Sequence, residues 1–286
     1  MTWQTRASIV AVCALAVVAA TRSRASDSGD SPIPDAQFNR DAQRTVVVAE
    51  LFTSEGCSSC PPADSLLRRL LSTQPIEGVE VVALGNHVDY WDRLGWRDPF
   101  SSRLFSERQS AYDATVFRSR GPYTPQLVVD GALECVASDE RAVRTALRDA
   151  TKRPKGTVSL TTGLAGGTSA TLNVRWNIPA GVSRQGAADL VVAVTEDDLS
   201  TQVLRGENKG HQLVHSAVVR TLMTVAPVGV NERDAAVATA VTLDPHWNLP
   251  HVRVVGFIQE QKTRRIIAAG ATSLLPPASH PRQETP

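Results

Sequence analysis

The chain of 286 residues lacks an excess of either charge: 30 Lys and Arg stand against 29 Asp and Glu, a net of +1. No dense basic stripe of the kind that tracks phosphates runs along it, which argues against nucleic acid as a partner. It lacks any apolar run of the roughly 20 residues that a spanning helix needs. The stretch from Ala7 to Ala20 comes nearest, at 14 residues. With Arg6 ahead of it and small residues Ser23 and Ala25 behind it, this stretch reads as an export signal over residues 1–25, an uncleaved N-terminal anchor being the alternative. Cys13 follows Val12, where a lipoprotein signal wants a small residue, so lipid attachment is not expected. Cysteine is scarce, with four in all. Removal of the signal leaves Cys57, Cys60 and Cys135, an odd number for an oxidising compartment. No second CxxC and no close Cys-His grouping exists to complete a structural zinc knuckle. Pro61 stands where a c-type haem site needs histidine. There is no internal repeat.

The length suits two domains of ordinary size. Residues 26–44, rich in Ser, Asp, Pro and Gln, form a flexible lead-in with too little apolar content to pack. Order begins at Thr45. Val46, Val47, Val48 and Leu51 make a buried strand that ends in a Thr-Ser-Glu-Gly turn. A helix follows, with Pro61 and Pro62 in its first turn, Asp64 complementing its positive end, and Leu66, Leu67, Leu70 and Leu71 on one face. Glu80 to Gly85 is a second apolar strand, completing a β-α-β unit. A helix over Glu107–Phe117, a strand over Gln126–Val129, an Asp130-Gly131 hairpin turn, a strand over Ala132–Val136 and a helix opened by Ser138, Asp139 and Glu140 come next. This order, β-α-β-α-β-β-α, occupies residues 45–155. Beyond the polar break at Lys152–Gly156 the pattern turns to short alternating runs: Thr157–Leu160, Thr171–Trp176, Leu190–Val194, Leu213–Leu222 and Val252–Gln259. Residues 156–275 therefore read as an all-β, sandwich-like domain, and 276–286 as a loose tail.

Cys57-Ser58-Ser59-Cys60 falls between a strand and a helix start. Residues three apart on a helical turn have Cβ atoms about 5–6 Å apart, within small adjustments of disulfide geometry. At the helix N-terminus Cys57 faces unsatisfied N–H groups that favour the thiolate, so it is assigned as an accessible nucleophile and Cys60 as the buried resolving thiol. A permanently oxidised structural staple is the alternative. Because the first two strands share their carboxyl end, His87 emerges beside Cys57. It fits a proton carrier or a hydrogen-bonded structural residue. Eight of the chain's 14 aromatic residues lie between positions 86 and 125. Tyr90, Trp91 and Tyr123 are among them, and the segment either packs on itself or forms a rim for substrate.

The motif Glu50-Leu-Phe-Thr-Ser-Glu-Gly-Cys-Ser-Ser-Cys-Pro-Pro-Ala-Asp64, with His87-Val-Asp-Tyr-Trp91, Leu94-Gly-Trp96, Tyr123-Thr-Pro-Gln-Leu-Val-Val-Asp-Gly131, Gly206-Glu-Asn208 and His215, resembles an uncharacterised family of secreted bacterial thioredoxin-like proteins, a domain of unknown function. The resemblance implies an α/β thioredoxin-like domain ahead of the all-β domain, the paired cysteines, and a cis bond at Thr124-Pro125 facing them. With that bond cis, Thr124 offers backbone groups to an extended polypeptide, a plain turn proline being the alternative. The resemblance also offers Glu50 as a buried carboxylate under the resolving cysteine, against an exposed strand-end glutamate.

Counting outward from a two-residue Asp130-Gly131 turn sets Cys135 opposite Gln126, two strands from the first strand and beyond disulfide reach, hence a free thiol. His211 and His215, four apart, would share a strand face. A metal there would need His246 and His251 as well. The acidic run Glu196-Asp197-Asp198 reads as a solvated turn rather than a cation site. Neither a cofactor nor a metal is called for. The expectation is a periplasmic or secreted thiol–disulfide oxidoreductase-like protein of the bacterial cell envelope, acting on protein or small-molecule thiols and disulfides. The alternative is a non-catalytic binding module, or a copper-handling protein using Cys57, Cys60 and His87. Direction of electron flow, oligomeric state and the role of the β region are not readable from the residues.

Overall fold

The computed structural model describes residues 44–119 and 121–275. The expected signal segment, nearly all of the lead-in and the tail lie outside the described residues. β1 (Thr45–Thr53), α1 (Pro61–Thr73) and β2 (Val79–His87) form the expected unit, with β1 and β2 parallel from Thr45 opposite Val79 to Thr53 opposite His87. β3 (Gln126–Val129) lies antiparallel on the other side of β1 and turns into β4 (Leu133–Val136). α2 spans Arg103–Tyr112 and runs on as a π-helical turn over Asp113–Phe117. It begins four residues earlier than the apolar spacing predicts, because the Ser102 side chain accepts from the Leu104 amide and caps it. α3 (Glu140–Thr151) is capped in the same way by Asp139. Its Val143, Leu147 and Ala150 join Leu66, Leu67 and Leu70 of α1 in one core over Val47, Ala49 and Leu51.

Nine strands follow: β5 (Gly156–Ala165), β6 (Ser169–Asn177), β7 (Ala188–Glu196), β8 (Leu199–Gln202), β9 (Gln212–His215), β10 (Val218–Val228), β11 (Asp234–Thr242), β12 (Val252–Glu260) and β13 (Ile266–Ser273). They overturn the expected fold class. Instead of an α/β thioredoxin-like domain followed by a separate sandwich, eleven strands make one mixed sheet in the order β11-β6-β5-β13-β12-β7-β10-β2-β1-β3-β4. Among the described residues, strand outnumbers helix, 44% to 20%. The reason is β10. It pairs antiparallel with β7 along its length, and at Val218 it sits parallel beside Gly85 of β2. The second face of the first sheet half is likewise covered by strands. Val48, Phe52, Val82 and Leu84 pack with Phe105 and Tyr112 of α2 and against Val191, Ala193, Val255, Phe257 and Ala269.

β7 and β12 are therefore buried on both faces. Val191 and Ala193 point into this shared core, while Leu190, Val192 and Val194 point into a third core with Leu172, Val174 and Trp176 of β6. Their near-continuous apolar sequence follows from that double burial rather than from parallel pairing. β8 and β9 form a separate two-stranded ribbon, and β9 lies against α1. Among the described residues no helix is long and apolar enough to cross a membrane.

Candidate functional site

After Thr53 the chain turns tightly: the Gly56 amide donates to Ser54 Oγ (3.1 Å), and the Cys57 amide to the Ser54 carbonyl (3.1 Å). Cys57 and Cys60 are joined in a disulfide with Cα atoms 5.4 Å apart. Cys60 occupies the N-cap position of α1, and its carbonyl accepts from the Ala63 (2.8 Å) and Asp64 (3.1 Å) amides. Cys57 thus sits in the turn ahead of the helix, not on its first residue. The accessibility expected of it is also corrected, because both cysteines are 0% exposed while Ser58 and Ser59 between them lie in solvent.

The cover comes from the segment between β8 and β9. Asn208, itself buried, donates through Nδ2 to the Glu55 (2.8 Å) and Cys57 (3.0 Å) carbonyls, and the Glu207 carboxylate accepts from the Ser58 amide (3.0 Å). Gly206 lies against Trp96, whose Cβ is 3.1 Å from where a Gly206 side chain would begin. Glu207 thereby takes up an amide beside the cysteines that was expected to favour a thiolate.

Beneath the disulfide lies a buried polar cluster. Glu55, 0% exposed, accepts from His215 Nε2 (3.1 Å) and Trp96 Nε1 (2.8 Å), and its amide donates to Asp98 Oδ2 (2.8 Å). The same Asp98 oxygen accepts from His87 Nδ1 (2.7 Å). His215 Nδ1 is 3.9 Å from Asp64 Oδ1, and the other Asp64 oxygen accepts from Thr53 Oγ1 (3.3 Å). The His87 and His215 rings meet edge to face at 4.7 Å, and Phe100 closes on both. Burial opposes charge on His215, but Asp64 and Glu55 more than offset it and raise its pKa to about 9. Burial likewise opposes ionisation of Asp98, and the neighbouring His87 with the amides of Glu55 and Phe100 outweighs it, holding the carboxyl below its usual range.

The raised His215 value carries a sign. Its stabilisation is complete below the unfolded histidine value near pH 6.5 and is lost as pH rises toward about 9. Urea denaturation should show stability falling through that window by on the order of 3 kcal/mol. Under His215→Gln the decline should flatten, and an unchanged decline would show that the slope arises elsewhere.

The other expected site residues are placed as follows. The Thr124–Pro125 bond is cis. Since Phe52 is opposite Gln126, Pro125 stands beside Thr53 at the cysteine end of β1. Trp91 joins the two: its Nε1 donates to Thr124 Oγ1 (2.8 Å), and its Cβ lies 3.1 Å from where a Gly56 side chain would begin. Tyr90 and Tyr123 are half-buried with their hydroxyls on Gln109 and Glu134, and burial pushes Tyr90 up to about 12.

Glu50 departs from its expected role. Strand alternation turns it to the face opposite Leu51 and Thr53. There, 0% exposed, it is gripped by Arg108 (Nε 2.6 Å, Nη2 2.9 Å) and by the Tyr112 hydroxyl, so it is an ion-pair partner rather than a carboxylate under Cys60. Cys135 is a free thiol, pushed up to about 11 by burial with Glu134 and Asp139 nearby. It pairs opposite Leu127 rather than Gln126, because Val129 pairs with Leu133 and leaves three residues, with Asp130 and Gly131 left-handed, in the turn. His211 precedes β9, is exposed, and does not share a strand face with His215. Glu196 of the acidic run is buried, accepting from the Asn248 amide at 2.8 Å. Among the described residues no three His, Cys, Asp or Glu side chains are arranged to hold a metal ion.

Residues 48–259 match the family described as "Protein of unknown function (DUF1223)". The chain belongs to this family. Among solved structures, this DUF1223 chain is similar to an Agrobacterium tumefaciens protein at 25% identity and TM-score 0.57, covering 80% of this chain and 94% of that one. HBP35 of Porphyromonas gingivalis is similar at 16% identity and TM-score 0.61, covering 85% of this chain and 80% of that one, a likeness of fold alone. Among curated proteins none matches the DUF1223 chain. Glu55, Asp98, Glu207 and Asn208 carry no expected role from the sequence, although three of them stand within the quoted motifs, and Asp64 is expected only to complement the helix start. The available signal was a polar residue that local amphipathicity does not require.

Proposed function

We propose that this DUF1223 protein is an exported thiol–disulfide exchange protein of the bacterial cell envelope, acting through Cys57 and Cys60 on protein or small-molecule thiols and disulfides. The observation that carries this reading is a closed CxxC disulfide poised at a helix entrance over buried histidines and carboxylates. An incoming thiolate attacks Cys57 Sγ, the Cys57–Cys60 bond breaks, and its electron pair leaves on Cys60 Sγ. Cys57 is assigned as the sulfur attacked because it contacts the exposed Ser59 hydroxyl (3.3 Å), whereas Cys60 is held inward by the helix start. A second partner thiolate then attacks the partner's sulfur, releasing the partner disulfide and leaving Cys57 and Cys60 reduced, or Cys60 returns to Cys57 Sγ, restoring the internal disulfide and releasing the partner as its thiolate. The export assignment rests on residues 1–25, and the cis Thr124–Pro125 edge with Trp91 is the surface on which an extended partner would lie.

The test is the reduced Cys60→Ala variant treated with glutathione disulfide. It should retain glutathione on Cys57 as a lasting mixed disulfide visible by mass spectrometry, whereas the reduced wild type should pass through that adduct and return to its internal disulfide. A wild type that resists reduction by excess thiol, together with a variant that takes up no glutathione, would leave a structural staple in place of an exchanging pair.

A further inference from the structure

The β region supplies one buried group to the cysteine site that an exchange reaction can use. His215 closes β9, 160 residues from Glu55, yet its ring lies in the cluster beside α1. Asp64 stands one helical turn beyond Cys60, a spacing that puts two side chains on the same helix face with Cβ atoms about 5–6 Å apart. Its Oδ1 faces His215 Nδ1 at 3.9 Å, and that nitrogen has no hydrogen-bond partner. On a protonated ring it is a buried donor held just short of that carboxylate, while the opposite ring nitrogen is committed to Glu55. Leaving such a nitrogen unpaired in the interior costs about 1–3 kcal/mol, so its placement calls for an explanation.

Chemistry supplies one. When Cys57 is attacked, Cys60 becomes a thiolate enclosed by protein, a state that burial makes costly unless a proton or a positive charge reaches it. We propose that His215 is a positioning residue for the exchange reaction, acting through Asp64 to deliver a proton to the Cys60 thiolate as the disulfide opens and to take it back as the disulfide closes. In the forward step the attacking thiolate bonds to Cys57 Sγ, Cys60 Sγ leaves with the electron pair, and one proton passes from the imidazolium by way of the Asp64 carboxylate to that sulfur. Imidazole, a thiol and a mixed disulfide result, with charge conserved. In reverse, neutral imidazole receives the proton as Cys60 attacks.

The ionisable groups that face His215 come from every element around it. Glu55 lies in the cysteine turn and Asp64 on α1. His87 of β2, with its partner Asp98, packs against the ring, and Arg220 of β10 lies over the ring of Phe100, which also packs against His215. The carboxylates outnumber the other charges, which is consistent with the raised His215 value and keeps a proton on the ring at neutral pH.

This inference rests on the exchange reading, and its test separates the two. Histidine-labelled full-length protein is titrated by NMR in the oxidised and the dithiothreitol-reduced states. Because the coupling between two sites is reciprocal, the His215 midpoint should differ between the states by about half a pH unit or more. In parallel, His215→Gln should slow wild-type-like opening by glutathione about tenfold or more at pH 7 and remove the corresponding inflection from its pH profile, in the range expected for lost acid–base assistance. A pair that exchanges with glutathione while His215 titrates identically in both states overturns the proton-transfer role and leaves the exchange function standing. A pair that glutathione cannot open overturns both. The NMR comparison needs only the wild type, so a His215→Gln protein that fails to fold does not protect the proposal.

Discussion

Replacement of Arg108 by methionine is expected to destabilise the fold by about 3–5 kcal/mol, the cost of removing one partner from a buried ion pair. Arg108 crosses from α2 to the core between β1 and the β region, where it donates to both oxygens of Glu50 and to Gln259 Oε1 (3.1 Å). Burial lowers the guanidinium's affinity for its proton, but the Glu50 carboxylate outweighs that effect and the net shift is upward. Methionine preserves much of the stem's packing and removes the charge, which leaves the Glu50 carboxylate in a site without water or a cationic partner. Urea denaturation at pH 7 measures the loss. Pairing the change with Glu50→Leu should recover most of it, since the charge that lacks a partner is then gone. A single Arg108→Met variant within about 1 kcal/mol of the wild type would mean that Glu50 is reached by solvent or takes up a proton at little cost.

Asn208→Ala should speed reduction of the Cys57–Cys60 disulfide by dithiothreitol about 10- to 100-fold. Both sulfurs are covered, so attack has to follow a local opening of the 206–208 segment, and the observed rate scales with the population of the open form. Two hydrogen bonds from the Asn208 amide hold that segment on the Glu55 and Cys57 carbonyls. Their loss, at about 1–3 kcal/mol for paired groups left unsatisfied in the closed form, converts to that acceleration at about 1.4 kcal/mol per tenfold. Glu207→Gln should have a smaller effect, because its bond to the Ser58 amide lies in solvent. Stopped-flow traces of the two variants against wild type, with circular dichroism as the check on folding, decide the matter. Rates within twofold of wild type for Asn208→Ala would mean that the sulfurs are reached by another route.

The local elements were legible because each carries its signal within a few residues. The Val46–Leu51 run, the prolines at the start of α1 and the opening of α3 near Ser138–Glu140 all read correctly from nearest neighbours. The joined sheet was not legible, because its continuity depends on one parallel pairing between Gly85 and Val218, 133 positions apart, to which no periodicity refers. β11 and β13 were missed for a related reason: Asp234–Thr242 and Ile266–Ser273 are rich in alanine, a weak strand former whose place here is set by neighbouring strands. Leu213–Leu222 read as one strand, yet it breaks at Ser216–Ala217, where Ala217 takes a positive φ of 52°. At the site, the cysteines and His87 announced themselves by spacing. The cover on the disulfide and the His215 contact did not, since each bridges about 150 residues or more of chain.

Gly85 sets a limit on how this architecture can vary. Its amide donates to the Ala217 carbonyl at 2.7 Å, and a methyl group at position 85 would begin only 3.2 Å from the carbonyl oxygens of both Ser216 and Ala217. Any larger residue there would wedge the two backbones apart at the place where they run side by side, and His215, one residue before Ser216, would swing with them. A hydrogen atom near the end of β2 therefore governs how His215 is aligned on Glu55 and Asp64, and substitution at this glycine should disturb that cluster without changing any of its own side chains.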